Sequence, residues 1–252
     1  MELPFDLTSF EGGFLAAALV AAAFIRGLSG FGFSAIVILL ASLIMNPLPL
    51  IPVIFACEIG MTAFQAKGIA PHIDWKKVGV LLLGSALAVF PSVALMTRLD
   101  PDQVRVIIAS LILFLSLLLL SGFSFGRVVG YKGNFFTGIA AGMANSAGVG
   151  GLVTAAFFSA QPIQASVFRA TMIIFLTGLD ILTLPVMGSH GLIGPDSVKA
   201  FLFAFPLLGL GIWLGSIGFS RISQSNFRRL VILMLTALSI FAFAHCYDRT
   251  VF

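Results

Sequence analysis

Charged side chains are scarce in this chain. Lysine and arginine number 14 and aspartate and glutamate 10 among 252 residues, 10% in all, where soluble globular proteins carry about 25%. A soluble domain of this size has too little interior to hide a sequence that is 59% hydrophobic. Cysteine is nearly absent: Cys57 and Cys246 both lie in apolar surroundings, which favours two separate buried thiols over a structural disulfide. His72, His190 and His245 are isolated and lack metal-ligand spacing. There is no Walker motif, zinc-protease motif or nucleophile elbow. The chain therefore has no ATP site of its own, and neither the nucleophile–base pair nor the metal cluster that a membrane enzyme or intramembrane protease needs. We expect no enzyme, no cofactor and no metal. The net charge of +4 comes from basic residues scattered through short loops, not from a stripe with stacking aromatics, so nucleic acid is not the partner. Glu2, Asp6 and Glu11 precede the first apolar segment without a lysine or arginine, unlike the basic start of a cleaved signal peptide, so that segment is expected to stay.

Apolar length dominates instead. Segments fall at about 12–28, 30–45, 47–66, 76–97, 104–122, 133–147, 148–160, 162–187, 197–219 and 227–246. A spanning helix needs about 20 apolar residues. The run 12–45 is too long for one span and short for two, and 133–160 is shorter still. Each reads as two helices meeting at a break, either two tilted spans or a re-entrant hairpin. Periodicity leaves both open, because a buried helix is apolar all round.

The breaks are rich in glycine. One reads Arg26-Gly27-Leu28-Ser29-Gly30-Phe31-Gly32-Phe33 and the other Asn145-Ser146-Ala147-Gly148-Val149-Gly150-Gly151, with Gly30 and Gly32 matching Gly148 and Gly150 at an offset of 118. Further matches follow. Asn46-Pro47 and Thr62 meet Gln161-Pro162 and Thr177 at an offset of 115, and Gln65 meets Asp180 there. Thr97-Arg98-Leu99-Asp100 meets Ser220-Arg221-Ile222-Ser223 at an offset of 123, with Asp102 on Ser225 and Arg105 on Arg228. The expectation is an all-α polytopic membrane protein of two homologous repeats, 10–122 and 133–246, joined by a linker at 123–132. It would have about eight full spans plus broken segments, up to ten membrane segments in all.

Loop charge orients the halves. With five segments per half and the N-terminus outside, Arg26, Lys67, Lys76, Lys77, Arg127, Lys132, Arg169, Arg221, Arg228 and Arg229 fall on the cytoplasmic side, ten against the four at Arg98, Arg105, Lys199 and Arg249. Setting aside Arg26 and Arg169, which stand close to the breaks, leaves eight against four. Four spans per half would split the charges about evenly. The positive-inside rule therefore selects five plus five. An odd number per half inverts the repeats and puts both termini outside. Trp75 beside Lys76 and Lys77 suits a membrane interface.

In these features the chain resembles the TauE/SafE family of sulfite exporters and related anion transporters. The resemblance rests on Gly27-x-x-Gly30-x-Gly32, on Gly148-x-Gly150-Gly151, on Pro47 and Pro162, and on the blocks at Arg98 and Arg221. The order, duplication and spacing carry it across nearly the whole chain. Phe33 departs from the pattern, standing where the family often has a third glycine. The resemblance implies a bacterial inner-membrane secondary transporter for sulfite, thiosulfate, a sulfonate such as sulfoacetate, or a small carboxylate.

Interrupted helices at matching places in two halves point to a transporter's solute site. The N–H groups at the start of a half-helix are unsatisfied and carry about half a positive charge, and glycine lets an anion approach them. The candidates are Ser29, Gly30, Phe31, Gly32, Phe33 and Ser34 with Asn145, Ser146, Gly148, Val149, Gly150 and Gly151; small residues that only pack helices would give the same pattern. The hydroxyls of Ser29 and Ser146 and the Asn145 amide can donate to an oxyanion. Arg26 and Arg169 are either solute ligands or anchors of helix ends. Glu58 and Asp180 are either carriers of a coupled proton or sodium ion, or neutralising partners of those arginines. Thr62, Gln65 and Thr177 read as interhelical hydrogen bonds. The partners are then a small anion, the bilayer and a coupling ion, with a homo-oligomer left open. A passive anion channel and a non-transporting partner subunit are the rival readings.

Overall fold

In hydrocarbon every backbone N–H and C=O must find its partner inside the protein, and a helix does this within one segment. The computed structural model describes residues 4–100 and 124–221, with scattered positions in 103–121 and 223–240; all regular structure among the described residues is helical. Among the described residues, eight α-helices with defined bounds follow in order: α1 Ser9–Ser29, α2 Phe33–Ala41, α3 Ile51–Ile69, α4 Trp75–Met96, α5 Tyr131–Asn145, α6 Gly150–Ser159, α7 Ala165–Ser189 and α8 Pro195–Arg221. Five stretches among the described residues are long and apolar enough to cross a membrane: Ser9–Ser29, Leu48–Ala66, Trp75–Met96, Ala165–Ser189 and Pro195–Phe219. Much of the apolar segments at 104–122 and 227–246 lies outside the described residues, as do Glu2, Asp102, Arg105, Ser225, Arg228, His245, Cys246 and Arg249.

The first break is a tight reversal. Helix α1 opens on a capping box between Thr8 and Glu11 and ends where Gly30 turns left-handed, φ 84°, its N–H bonded to the Arg26 carbonyl. Gly32 repeats that backbone at φ 90° just before α2. Other residues tolerate such angles poorly, so two glycines two apart stop one helix and start the next. Helix α2 has 9 residues and α6 has 10, so each is about 15 Å long, roughly half the hydrocarbon thickness. The shorter arm of each break therefore packs back on its neighbour, α2 on α1 and α6 on α5.

Helix packing forms two close seams around a central pair. Along α1 and α8, Gly27 lies on Ile212 and Gly215, and Gly211 on Val20 and Ala23. Residue numbers rise together, so these helices run in the same direction. Along α4 and α5, Gly138 lies on Leu81 and Gly142 on Ser85, again parallel. Ser85 Oγ donates to the Gly138 carbonyl across this seam at 2.8 Å. Helix α3 meets α7 through Thr62 and Thr177, while Ile69 packs on Ala170 and Ile173; here numbers run oppositely, so the central pair is antiparallel. Helix α3 also packs on α8, and α7 on α4. Leu83, Leu87, Phe136, Leu202, Leu210 and Trp213 are exposed on the outside, a surface suited to lipid rather than water.

The seams predict where substitution is tolerated. A Cβ at Gly138 would collide with the Leu81 carbonyl, whereas one at Gly79 on α4 would meet nothing within 4 Å. Gly138→Ala is expected to lower the melting temperature of the detergent-purified protein sharply or abolish folding. Gly79→Ala should leave it unchanged or raise it slightly, since alanine favours helix by about 1 kcal/mol. Equal melting curves for the two variants would refute the close α4–α5 approach.

Candidate functional site

The reversal at Gly30 places the last turn of α1 in the protein interior, and with it a guanidinium. Arg26 is completely buried. Its Nη1 lies 3.2 Å from Glu58 Oε1 on α3, and its Nη2 donates to Thr62 Oγ1 at 3.3 Å, while Nε has no hydrogen-bond partner. The same Glu58 oxygen accepts the N–H of Ser34 at 3.3 Å. Ser34 is the second residue of α2, so a carboxylate from α3 sits at the electropositive start of the half-helix. An isolated buried charge would cost several kcal/mol; here the cation, the helix terminus and the carboxylate compensate one another.

Helix α7 brings the other half of the cluster. Thr177 Oγ1 lies 2.6 Å from Thr62 Oγ1, one turn before Asp180. Asp180 is fully buried beside Glu58, Arg26 and Asn145, and neither of its carboxylate oxygens makes a hydrogen bond. Asn145, the last residue of α5, donates through Nδ2 to Thr183 Oγ1 at 3.0 Å. Its Oδ1 stands beside Gly150, where α6 begins; a Cβ there would lie 2.8 Å from it. One cation, two carboxylates, an amide and three hydroxyls thus gather where the starts of both half-helices meet the central α3–α7 pair. Such a cluster can exchange an internal anion for an external one, and a proton between two carboxylates.

The remaining candidates have local work. Ser29 Oγ lies 2.8 Å from the Ile25 carbonyl and 2.7 Å from that of Phe31, and accepts the Phe31 N–H at 3.3 Å, so its hydroxyl is committed to its own turn. Ser146 Oγ donates to the Met143 carbonyl at 2.8 Å. Phe31 and Phe33 are buried, Phe31 with its ring 5.9 Å from that of Phe168. Gly148, at φ 74°, packs on Ile38 of α2; Val149 is buried and Gly151 packs on Leu176. Arg169 has partners of its own. It donates to the Gly27 carbonyl through Nε at 3.2 Å and Nη2 at 2.6 Å, reaches Ser216 Oγ at 3.2 Å, and lies 4.6 Å over the Phe219 ring. Gln65 Nε2 donates to the same Ser216 hydroxyl at 3.3 Å. Arg169 thereby ties the start of α7 to the ends of α1 and α8. Both arginines are buried, so neither acts as a loop charge, and the orientation count falls to eight against four.

Sequence reasoning passed over Thr183, Ser216 and Phe219. The signal for Thr183 was its position one turn beyond Asp180 on the same helical face; Ser216 and Phe219 carried none in an apolar run. Cys57 is a free, buried thiol. Among the described residues no three His, Cys, Asp or Glu side chains gather as a metal site would require.

The family described as sulfite exporter TauE/SafE matches residues 14–242. No curated protein and no solved structure matches the chain at a significant level. With its glycine breaks, apolar spans and nearly full-length match, this multi-pass membrane chain belongs to the sulfite exporter TauE/SafE family.

Proposed function

We propose that the chain is a secondary transporter that holds a small anion, such as sulfite, thiosulfate, a sulfonate or a carboxylate, against Arg26 and the N-terminus of α2. The observation that carries this reading is Glu58. Its carboxylate already occupies a seat made of a fully buried guanidinium and a helix N–H, the donor set that an oxyanion or carboxylate needs. Solute and Glu58 then compete for one place. Protonation of Glu58, with Asp180 beside it as the second acceptor, frees the seat and links anion movement to a proton; a sodium ion beside the two carboxylates would serve the same linkage.

Two inverted repeats fit the packing. Thr62 and Thr177, equivalent at the 115-residue offset, touch each other, as equivalent residues do on a two-fold axis. The α1–α8 seam has its counterpart in α4–α5, and the α1–α2 hairpin in α5–α6. Alternating access is then a movement of one seam pair against the other around the Arg26 site. Loop charges set the N-terminus outside in a bacterial inner membrane.

Thermal stabilisation tests the seat, because a ligand of the folded state raises the melting temperature with its occupancy. Among sulfite, thiosulfate, sulfate, sulfoacetate, taurine, acetate and phosphate, a selective shift by one small anion is expected, and Arg26→Gln should remove it. A full shift in a folded Arg26→Gln variant would overturn the site. In proteoliposomes, Glu58→Gln is expected to bind the anion at least as tightly while transport loses its response to an imposed pH gradient. An unchanged gradient response would remove Glu58 from coupling, and non-saturating flux indifferent to gradients in the unmodified chain would indicate a channel.

A further inference from the structure

The face of α3 that carries Glu58 and Thr62 goes on to Gln65, less than one turn further and still on that face. Toward the start of the helix the same face is apolar, with Ile54 and Ile51 buried. Along this face, polar side chains lead from Arg26 toward one end of the bundle, and they finish in a cluster at Arg169. Arg169 lies four residues inside α7, Gln65 four before the end of α3 and Ser216 five before the end of α8, about 6 to 8 Å from that end.

Arg169 is only 8% exposed, yet among the described residues no carboxylate stands within ion-pair distance of it. The charge of Arg26 reaches it and adds repulsion. Its bonds run through Nε and Nη2 to the Gly27 carbonyl and the Ser216 hydroxyl, both neutral, and Nη1 makes none of them. Ser216 Oγ accepts from Arg169 and from Gln65, so its own hydrogen is left to give. Gln65 is 6% exposed and its Oε1 has no partner. The amide can be turned over; Oε1 then takes the Ser216 hydrogen, and the amide nitrogen becomes the buried atom left over. In either setting the cluster has donors to spare and a positive charge without its counter-charge. Buried charges are otherwise paired, because an unpaired one costs several kcal/mol.

We propose that Arg169, Ser216 and Gln65 form a second anion site, a waiting position for a small monovalent oxyanion between solution and Arg26. The anion supplies the charge that Arg169 lacks and takes the hydrogens of Nη1 and of Ser216 or Gln65. This site has no carboxylate to displace, so it fills without a proton. Its hold is weaker than that of the seat, because Arg169 stays shared with the Gly27 carbonyl. The site stands on its own observations; only its place before the seat rests on the reading of Arg26 given above.

The test is charge-selective thiol labelling of the full chain in lipid nanodiscs. Cys57 and Cys246 are first replaced by alanine, and Ser216→Cys then puts a thiol beside Arg169. Two methanethiosulfonates are compared, one ending in a sulfonate and one in a trimethylammonium, each scaled to its rate with a free thiol. The sulfonate reagent is expected to be favoured about tenfold or more, the gain that a cleft of one charge gives an opposite one. Arg169→Gln should abolish the preference, Arg169→Lys should keep most of it, and Arg26→Gln should leave it in place. At constant ionic strength, excess methanesulfonate should slow the labelling several-fold, while uncharged dimethyl sulfone should not. Should Ser216→Cys fail to fold, Phe219→Cys places the thiol under the same guanidinium. Equal rates, a preference that survives Arg169→Gln, no labelling by either reagent, or no protection by methanesulfonate would each overturn the second site. None of these outcomes bears on the seat, which stands or falls by the thermal shift and its loss in Arg26→Gln.

Discussion

An arginine without contact to solvent must be compensated where it stands, and much of this structure can be traced to how Arg26 is satisfied. It needs a carboxylate, which α3 supplies in Glu58; it needs a hydroxyl, which Thr62 supplies one turn later. Meeting both fixes the rotation of α3 against α1. The start of α2 comes to the same carboxylate, since the Ser34 N–H donates to it, so the hairpin at Gly30 and Gly32 cannot open without taking that donor away from the buried Glu58. Asp180 is held within this field although it makes no hydrogen bond of its own. The compensation is incomplete: Arg26 Nε and both Asp180 oxygens have no hydrogen-bond partner, and Arg26 Nη1 has only its ion pair; a buried polar group left without a partner costs about 1–3 kcal/mol. Such unpartnered groups are uncommon in a finished core.

Around this charge the remaining fold is built by close approach. Glycines in the α1–α8 and α4–α5 seams bring backbones together without side chains between them, which suits an apolar solvent in which dispersion and tight fit replace the hydrophobic drive. Arg169 acts differently from Arg26: it binds a carbonyl, a hydroxyl and a ring face, neutral partners that can be surrendered at lower cost than a carboxylate.

Helix type and position were legible because they follow from single residues. Glycine alone takes φ near 90° easily, so Gly30 and Gly32 mark the end of α1 and the start of α2; apolar length marks α4, α7 and α8. The family was legible as well: the resemblance rested on glycines, prolines and the blocks at Arg98 and Arg221, and the family match covers residues 14–242. The content of the site was harder to read. An arginine near a segment end serves equally as an interface anchor or as half of a buried pair, and its partner Glu58 lies on a helix whose rotation no local pattern fixes. The hydroxyl of Ser29 illustrates a second limit: a residue type able to donate to a solute also closes its own turn, and the nearer acceptor wins. Thr183 and Ser216 were silent because a hydroxyl in an apolar helix can always return its hydrogen to the preceding turn.

The contact between Thr62 and Thr177 has a handedness of its own. Two hydroxyls share two hydrogens among their mutual bond and two carbonyls one turn back, those of Glu58 and Ile173. If Thr62 donates to Thr177, the second hydrogen goes to Ile173 and the Glu58 carbonyl keeps only its helical N–H. If Thr177 donates to Thr62, the chain runs the other way and the Ile173 carbonyl loses the hydroxyl instead. Arg26 already donates into the Thr62 oxygen, so withdrawing or restoring that donor changes the relative energy of the two directions. The crossing of α3 and α7 is thus a two-position pointer: a single O–H vector, smaller than any helix movement, registers at the centre of the molecule whether the guanidinium is engaged.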